Sequence, residues 1–263
     1  MPTLSYDGQS FSIDNRRVWI VAGSVCYAAM PRELWRHRIL AAKRAGLNCI
    51  DVPIVWAVHE AEPKKIRFEG DNDLSAFVKM IGEEGLWCIL RVGPFIGDGW
   101  NFGGMPQWLA GIDKGAMRQA NGPFLEASSR FITAVMEQVK DHLASKPHPG
   151  RPADAGPVIA VQVETDWFCH NPEHGAGYLG ELARYLRENG CNVPIIEANN
   201  LWEPIDGTLA TWKGDDHLAG DLRQLREIHP NVPRVVTMSA GAATDHHGAE
   251  HHTGIDAAEF ESR

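Results

Sequence analysis

The 263-residue sequence is poor in cysteine and has neither clustered basic residues nor a long apolar run. Its five cysteines are an odd number and form no CxxC pair, so neither a disulfide framework nor a thiolate zinc site is predicted. The 25 basic residues are outnumbered by 34 acidic ones and form no block, which excludes the electrostatic footprint of a nucleic-acid-binding protein. A neutral ligand fits this charge balance.

Targeting and phosphate-binding signals are also missing. Residues 1–17 lack the basic start and apolar core of a signal peptide, and no run reaches the roughly 18 apolar residues of a membrane span. We therefore expect a cytoplasmic protein that makes no membrane contact. The pair Gly103-Gly104 lies in no phosphate-loop pattern, so no cofactor is expected. The sequence leaves the oligomeric state open.

Short apolar runs rich in β-branched residues alternate with longer amphipathic stretches, which predicts a parallel sheet covered by helices. Before them, Leu4–Arg17 predicts a small hairpin that turns at Asp7-Gly8. The predicted strands are Val18–Cys26, Cys49–Val55, Trp87–Val92, Val158–Val163, Pro194–Ala198, Leu209–Trp212 and Arg234–Met238. The predicted helices are Arg32–Arg44, Asp73–Glu84, Pro123–His142, Gly177–Glu188 and Leu218–Ile228.

These elements predict an α/β fold, a (β/α)8 TIM barrel formed as a single domain by residues 1–263. A closed barrel needs eight strands, because an open edge leaves backbone groups unpaired. Seven are predicted here, and the chain ends at Glu259–Arg263, inside the helix expected after strand seven. We therefore expect the barrel to lack its eighth strand within this chain and the chain to be a fragment of a longer protein.

The carboxyl ends of the predicted strands, where such barrels place their working residues, are rich in tryptophan. The six that follow strands two to six are Trp56, Trp100, Trp108, Trp167, Trp202 and Trp212. Flat aromatic faces stack on the C–H faces of sugar rings, so this set favours a carbohydrate ligand. The alternative is that several of these rings only plug the barrel mouth.

Strand four carries a line of polar residues. With a period of two, Gln162, Glu164 and Asp166 share the lumen side of the strand, opposite the valines. Asp166 comes last and should lie nearest to solvent and ligand, which makes it the candidate acid. Glu164 lies deeper, and because a buried carboxylate needs a partner, we expect it to form a salt bridge with Arg91.

A series of motifs, in order and correctly spaced, resembles the family 35 glycoside hydrolases, the β-galactosidase family. The motifs are Ala22–Tyr27, Pro31–Trp35, Ala45–Ile50, Trp56–Glu60, Phe68–Asp71, Gly85–Arg91, Gly93–Phe95, Asn101–Leu109 and Gly156–Glu164. The resemblance implies a retaining glycosidase that hydrolyses the O-glycosidic bonds of β-galactosides or related sugars. Such enzymes use two carboxyl groups about 5–5.5 Å apart as acid/base and nucleophile.

Several of the positions implied by this resemblance hold other residues. The acid/base glutamate, preceded by asparagine, aligns with Thr165-Asp166, and the nucleophilic glutamate after strand seven aligns with Ser239. The tyrosine and asparagine of strand two that contact galactose in the family fall at Pro53 and Ala57. The acidic residue after strand three falls at Gly99, where only the adjacent Asp98 could substitute. The residues predicted to bind substrate are Trp56, Asp98, Trp100, Glu164, Trp167, Trp212 and Ser239.

Two alternatives remain open. The departures allow a catalytically degenerate barrel that binds a carbohydrate or a protein partner without turnover. Glu197, at the end of strand five, could instead pair with Asp166 for inverting hydrolysis if a water fits between carboxyls roughly 6.5–9.5 Å apart. The histidine-rich segment Asp245–His252 has the residue types of metal ligands, but its spacing matches no familiar zinc motif, so we predict a solvated loop and no metal.

Overall fold

Parallel strands and helices alternate along most of the chain, as predicted. The computed structural model describes residues 4–97, 99–112, 117–144, 156–167, 177–199, 205–214 and 217–238. Six strands pair in chain order, and two further strands pair in parallel beside them. They are β4 (Ala22–Ser24), β5 (Cys49–Pro53), β6 (Trp87–Gly93), β7 (Val158–Val163), β8 (Ile195–Glu197), β9 (Leu209–Ala210), β10 (Trp212–Lys213) and β11 (Val236–Met238).

These strands account for all seven predicted barrel strands, because only Thr211 separates β9 from β10. The α/β class is therefore confirmed. The first strand begins later than predicted, since Val18 belongs to an antiparallel sheet that precedes the barrel. Whether the chain holds an eighth strand stays a prediction, because residues 239–263 lie outside the described residues.

The predicted helices are present with small shifts at their ends. The helices are α1 (Trp35–Arg44), α2 (Trp56–His59), α3 (Leu74–Glu83), α4 (Gly122–Val139), α5 (Tyr178–Glu188) and α6 (Leu218–Ile228), of which the short α2 after strand two was not predicted. Two of the helix starts have side-chain caps. Asp73 accepts a hydrogen bond from the amide of Ala76 before α3, and Asn121 accepts one from the amide of Phe124 in α4.

A three-stranded antiparallel sheet covers the amino-terminal end of the barrel. Its strands are β1 (Leu4–Tyr6), β2 (Phe11–Ile13) and β3 (Arg16–Val18), one more than the predicted hairpin. Phe11 packs in a buried cluster with Ala160, Ile196 and Leu209 from three barrel strands. These three side chains therefore define the lumen face, and the segments that follow the strands are where a ligand site is expected.

No helix within the described ranges is long and apolar enough to cross a membrane.

Candidate active site

The end of strand four leaves regular β conformation just where the candidate residues begin. Gln162 is the last residue of the predicted polar line that still lies in the strand, opposite Arg91 of β6. Glu164 has φ +55° and Asp166 has φ +52°, both in the left-handed region that non-glycine residues rarely adopt. The two-residue alternation therefore stops at Val163, and side-chain directions beyond it cannot be read from the strand period.

The predicted salt bridge between Glu164 and Arg91 is wrong. Glu164 accepts a 2.5 Å hydrogen bond from the Tyr178 hydroxyl of α5, and its other oxygen lies 2.9 Å from Nη2 of Arg118. Its carboxylate thus points towards the helix layer and not into the lumen. The left-handed φ of Glu164 is the physical reason. It places the Glu164 side chain on the side of the strand opposite to the one that regular alternation predicts.

Arg91 has a different partner. Its guanidinium forms an ion pair with Asp51 of β5 and donates a hydrogen bond to the Ile96 carbonyl. Asp51 lies on the neighbouring strand, in register with Ile89, two residues before Arg91.

The Glu164 carboxylate is enclosed by protein. Burial raises the pKa of Glu164, against the lowering effects of the Arg118 charge and of the hydrogen bonds from Tyr178 and Arg118. Burial likewise raises the pKa of the Tyr178 hydroxyl well above its usual value. Glu164 therefore anchors structure and has no open path to a ligand, which does not favour its predicted role in substrate binding.

Asp166 is the carboxylate that the end of strand four presents outwards. Its side chain is 21% exposed and forms an ion pair with the ammonium of Lys213, at the end of strand six. Asp166 and Lys213 therefore join the carboxyl ends of two strands that are not adjacent in the sheet. This is the position in which a TIM barrel holds groups that act on a ligand.

Glu197 occupies a different environment. It follows Ile196, which lies in the lumen cluster, so strand alternation places Glu197 on the opposite face with Ile195. Its side chain is buried, and Oε2 accepts a 3.0 Å hydrogen bond from the amide of Asn199. This placement gives no support to a water-bridged pair between Glu197 and Asp166.

The predicted tryptophans divide into enclosed and accessible rings. Trp56 is fully buried and stacks on Phe131 with ring centroids 4.9 Å apart, and Trp167 is buried and donates to the Arg118 carbonyl. Both rings pack in the main hydrophobic core and leave little surface for a ligand. Trp100 and Trp212 are half-buried and keep surface that a sugar ring could cover.

Three predicted positions cannot be placed. Asp98, Trp202 and Ser239 lie outside the described residues, as does the histidine-rich segment at 245–252. Among the residues that are described, no group of three or more His, Cys, Asp or Glu side chains comes together as a metal site would require.

Sequence reasoning missed three residues that shape this site. Lys213 carried a signal in the sequence, because it lies at the carboxyl end of strand six beside Trp212, where ligand-binding residues of such barrels are expected. Arg118 had no such signal, since it lies in a loop far from strand four in sequence. Tyr178 opens α5 and reads as an ordinary apolar position of an amphipathic helix.

A sequence profile of the family described as Glycosyl hydrolases family 35 matches residues 10–261. The chain belongs to this family. It is 32% identical over 255 residues to human beta-galactosidase-1-like protein 3, a match that covers 95% of this chain and 37% of that protein. It is 29% identical over 256 residues to the beta-galactosidase of Xanthomonas manihotis, covering 95% of this chain and 41% of that protein. The chain therefore spans less than half the length of these relatives.

Solved structures support the fold. An endo-1,4-beta-mannanase from Rhizomucor miehei gives a TM-score of 0.57 at 10% identity, covering 88% of this chain and 80% of that chain. A beta-galactosidase from the psychrophilic Marinomonas ef1 gives 0.54 at 13% identity, covering 74% of this chain and 40% of that chain. Together with family membership, these likenesses confirm the predicted TIM-barrel fold.

Proposed function

We propose that this chain is the barrel of a β-galactosidase-type glycoside hydrolase, with Asp166 as its acid/base residue. The observation that carries the proposal is the outward-facing carboxyl group of Asp166 at the end of strand four. The resemblance described above also places that residue where the family has its acid/base glutamate. The substrate is then a β-galactoside or a related sugar, and the relatives named beta-galactosidase favour this class.

In this mechanism Asp166 handles protons at the glycosidic oxygen. It donates a proton to that oxygen while the bond between the oxygen and the anomeric carbon breaks. It then takes a proton from the water whose oxygen bonds to the anomeric carbon. The half-buried rings of Trp100 and Trp212 supply faces on which the sugar can stack.

The departures from the family pattern predict slow turnover. Aspartate is one methylene shorter than glutamate, which sets a proton donor back by roughly 1–1.5 Å, and a misplacement of that size can cost about a hundredfold in rate. The resemblance places Ser239 where the family has its nucleophile, and a serine cannot replace a carboxylate beside an oxocarbenium-like centre.

The experiment is hydrolysis of chromogenic aryl β-galactosides by the wild-type chain and by Asp166→Ala and Asp166→Glu. We expect slow wild-type turnover, a further loss of about 10²–10⁴-fold in Asp166→Ala, and a gain in Asp166→Glu because the longer side chain brings the proton donor forward. Turnover that is unchanged in Asp166→Ala would remove Asp166 from the mechanism.

A second candidate is the degenerate barrel that binds a carbohydrate or a protein partner without turnover. The ion pair between Asp166 and Lys213 favours it, because Lys213 engages a carboxylate oxygen that proton transfer needs. The two candidates differ in a Ser239→Glu variant. Gain of hydrolysis supports the hydrolase, whereas galactoside binding by calorimetry without hydrolysis in either protein supports the binding barrel.

A further inference from the structure

We propose that Arg118 is a positioning residue for Asp166, binding the residues on both sides of it without touching its carboxylate. The inference rests on the proposed function, in which Asp166 is the acid/base residue. It concerns a loop residue that lies between strands three and four in the chain.

The segment that presents Asp166 needs external support. Glu164 and Asp166 both have positive φ, and Thr165 lies between them. Side chains disfavour this backbone conformation, so it persists only where surrounding contacts determine it. The Glu164 amide donates to the Gly93 carbonyl at 3.0 Å, and the Gln162 side chain donates to the Glu164 carbonyl at 2.8 Å. The Gln162 amide also donates to the Thr165 hydroxyl at 2.8 Å, and Lys213 pairs with the Asp166 carboxylate. None of these contacts binds the segment beyond Asp166.

Arg118 supplies contacts on both sides of Asp166. Its Nη2 lies 2.9 Å from the Glu164 carboxylate and donates to the Thr165 carbonyl at 2.8 Å. Its own carbonyl accepts a 3.0 Å hydrogen bond from Nε1 of Trp167. One residue therefore binds positions 164, 165 and 167, and the position between the last two is Asp166.

Arg118 is itself held in place. Its guanidinium lies over the Phe95 ring, 4.1 Å from the centroid, a cation–π contact that also fixes the guanidinium plane. The Phe95 ring packs directly on Gly103. The contact is so close that a Cβ added to Gly103 would lie 1.9 Å from the ring. The loop after strand three thus forms the platform on which Arg118 reaches the end of strand four.

A simpler role for Arg118 would be to neutralise the buried Glu164. The molecule offers a matched control for that role in Arg130, whose Nη2 lies 2.9 Å from the buried carboxylate of Glu60. Glu60 otherwise accepts bonds from Trp56 and Lys64, both in the segment after strand two. Arg130 therefore neutralises a buried glutamate with the same geometry, but the segment that it supports is not the one carrying Asp166.

The test uses the leaving group of the substrate. Dinitrophenolate leaves a dinitrophenyl galactoside without being protonated. Release of methanol or phenol from a methyl or unsubstituted phenyl galactoside needs the proton from Asp166. In Arg118→Met we expect the phenyl galactoside rate to fall about 10–100-fold, because the proton donor is displaced, and the dinitrophenyl rate to fall far less. In Arg130→Met we expect both rates to change by the same factor.

Arg118→Lys distinguishes a positioning role of Arg118 from the effect of its charge. It also provides a second variant in case Arg118→Met does not fold. The lysine keeps the positive charge beside Glu164 but lacks the planar guanidinium that stacks on Phe95. We expect it to retain the altered leaving-group dependence of Arg118→Met. A wild-type leaving-group dependence in Arg118→Lys, or equal losses on both substrates in Arg118→Met, would overturn the proposal.

A readout without turnover keeps the test separate from the proposed function. If the wild-type chain hydrolyses no galactoside, the proposed function fails. The positioning role of Arg118 is then tested by solvent exchange of the Trp167 indole proton in tryptophan-labelled protein. We expect this exchange to be about tenfold faster in Arg118→Met, because loss of the guanidinium contacts to Thr165 and Phe95 loosens the loop that carries the Arg118 carbonyl, and unchanged in Arg130→Met. Equal exchange in all three proteins would overturn the positioning role.

Discussion

The barrel contains two buried glutamates that are bound in almost the same way. In the strand-two region, Glu60 accepts hydrogen bonds from Nε1 of Trp56 at 2.7 Å, from the amide of Lys64 at 2.6 Å and from Nη2 of Arg130 at 2.9 Å. The helix that precedes it is regular, and Glu60 itself has a negative φ of −128°. This glutamate has an ordinary backbone conformation itself, and the enclosed turn that it holds includes Lys64 with φ +65°.

In the strand-four region, Glu164 is bound by Tyr178, Arg118 and, at 3.3 Å, the amide of Thr165. Its backbone has positive φ, as has that of Asp166, and Asp166 is partly exposed. The same chemistry, a buried carboxylate with an arginine and an aromatic donor, thus supports an ordinary backbone at Glu60 and a left-handed backbone at Glu164. Positive φ occurs in both regions, but only in the strand-four region does it include a residue, Asp166, whose carboxylate is partly exposed, and this points to that region as the functional one.

The largest expected effect on stability comes from removing either arginine. Breaking a buried ion pair leaves an uncompensated charge and costs about 3–5 kcal/mol, so Arg118→Met and Arg130→Met should both lower the free energy of unfolding by that amount. Urea unfolding measures it. Arg184, which pairs with Glu181 and Glu188 at the surface, gives the control, because loss of an exposed pair costs less than about 1 kcal/mol. A loss for Arg118→Met no larger than that for Arg184→Met would mean that Glu164 does not depend on Arg118.

The second prediction concerns pH and the strand-two region. His59 lies beside Glu60; its Nδ1 donates to the Arg67 carbonyl at 2.8 Å and its Nε2 accepts from the Tyr27 hydroxyl at 2.5 Å. Burial lowers the pKa of His59 from 6.5 to about 4. Between these pH values the unfolded chain binds more protons, so stability should fall as pH falls from about 6.5 to about 4, by at most about 3 kcal/mol.

The strand-four region should respond with the opposite sign. Because burial raises the pKa of Glu164, the folded state holds its proton at pH values where the unfolded state has lost it. The contribution of Glu164 is therefore fully present below its ordinary pKa and is lost as pH rises through the folded value. Urea unfolding of His59→Gln and Glu164→Gln across this pH range separates the two. If neither variant alters the slope of stability against pH, other groups govern it.

Much of the fold follows from sequence periodicity, whereas the side-chain partners at the site do not. The parallel strands and the helices follow from alternating apolar runs, because burial on a sheet or helix face is a local pattern. Asp166 was also found as the outward carboxylate. The partner of Glu164 was not, because strand alternation assumes β conformation and Glu164 has φ +55°. Arg118, more than 40 residues away in the chain, shows no local pattern that connects it to strand four.

A third, smaller effect is expected from the platform under Arg118. Gly103 has φ +62°, and a Cβ there would collide with the Phe95 ring, so Gly103→Ala combines backbone strain with overpacking and should cost about 2–3 kcal/mol. Gly46 has φ +93° with no atom within 4 Å of an added Cβ, so Gly46→Ala measures the strain alone, about 1 kcal/mol. Equal losses in thermal unfolding would show that Phe95 moves aside freely and gives Arg118 no support.

The smallest effect should come from the tyrosine hydroxyls that complete the two regions. Tyr178→Phe removes a 2.5 Å hydrogen bond to a charged carboxylate, which is worth about 1.5–3 kcal/mol, whereas Tyr27→Phe removes a bond to the neutral ring of His59, worth about 0.5–1.5 kcal/mol. Both rings are fully buried, and phenylalanine keeps their packing. The difference in stability loss between the two variants therefore measures the effect of a carboxylate acceptor against that of a neutral imidazole.

The hydrogen bond from Tyr178 lowers the pKa of Glu164, so its loss should raise that pKa further and move the pH at which Glu164 destabilises the fold upwards. Unfolding of both variants at several pH values measures the two effects together. A Tyr178→Phe loss no larger than that of Tyr27→Phe, with an unchanged pH dependence, would mean that Arg118 and the Thr165 amide hold Glu164 without Tyr178 and that α5 has no part in presenting Asp166.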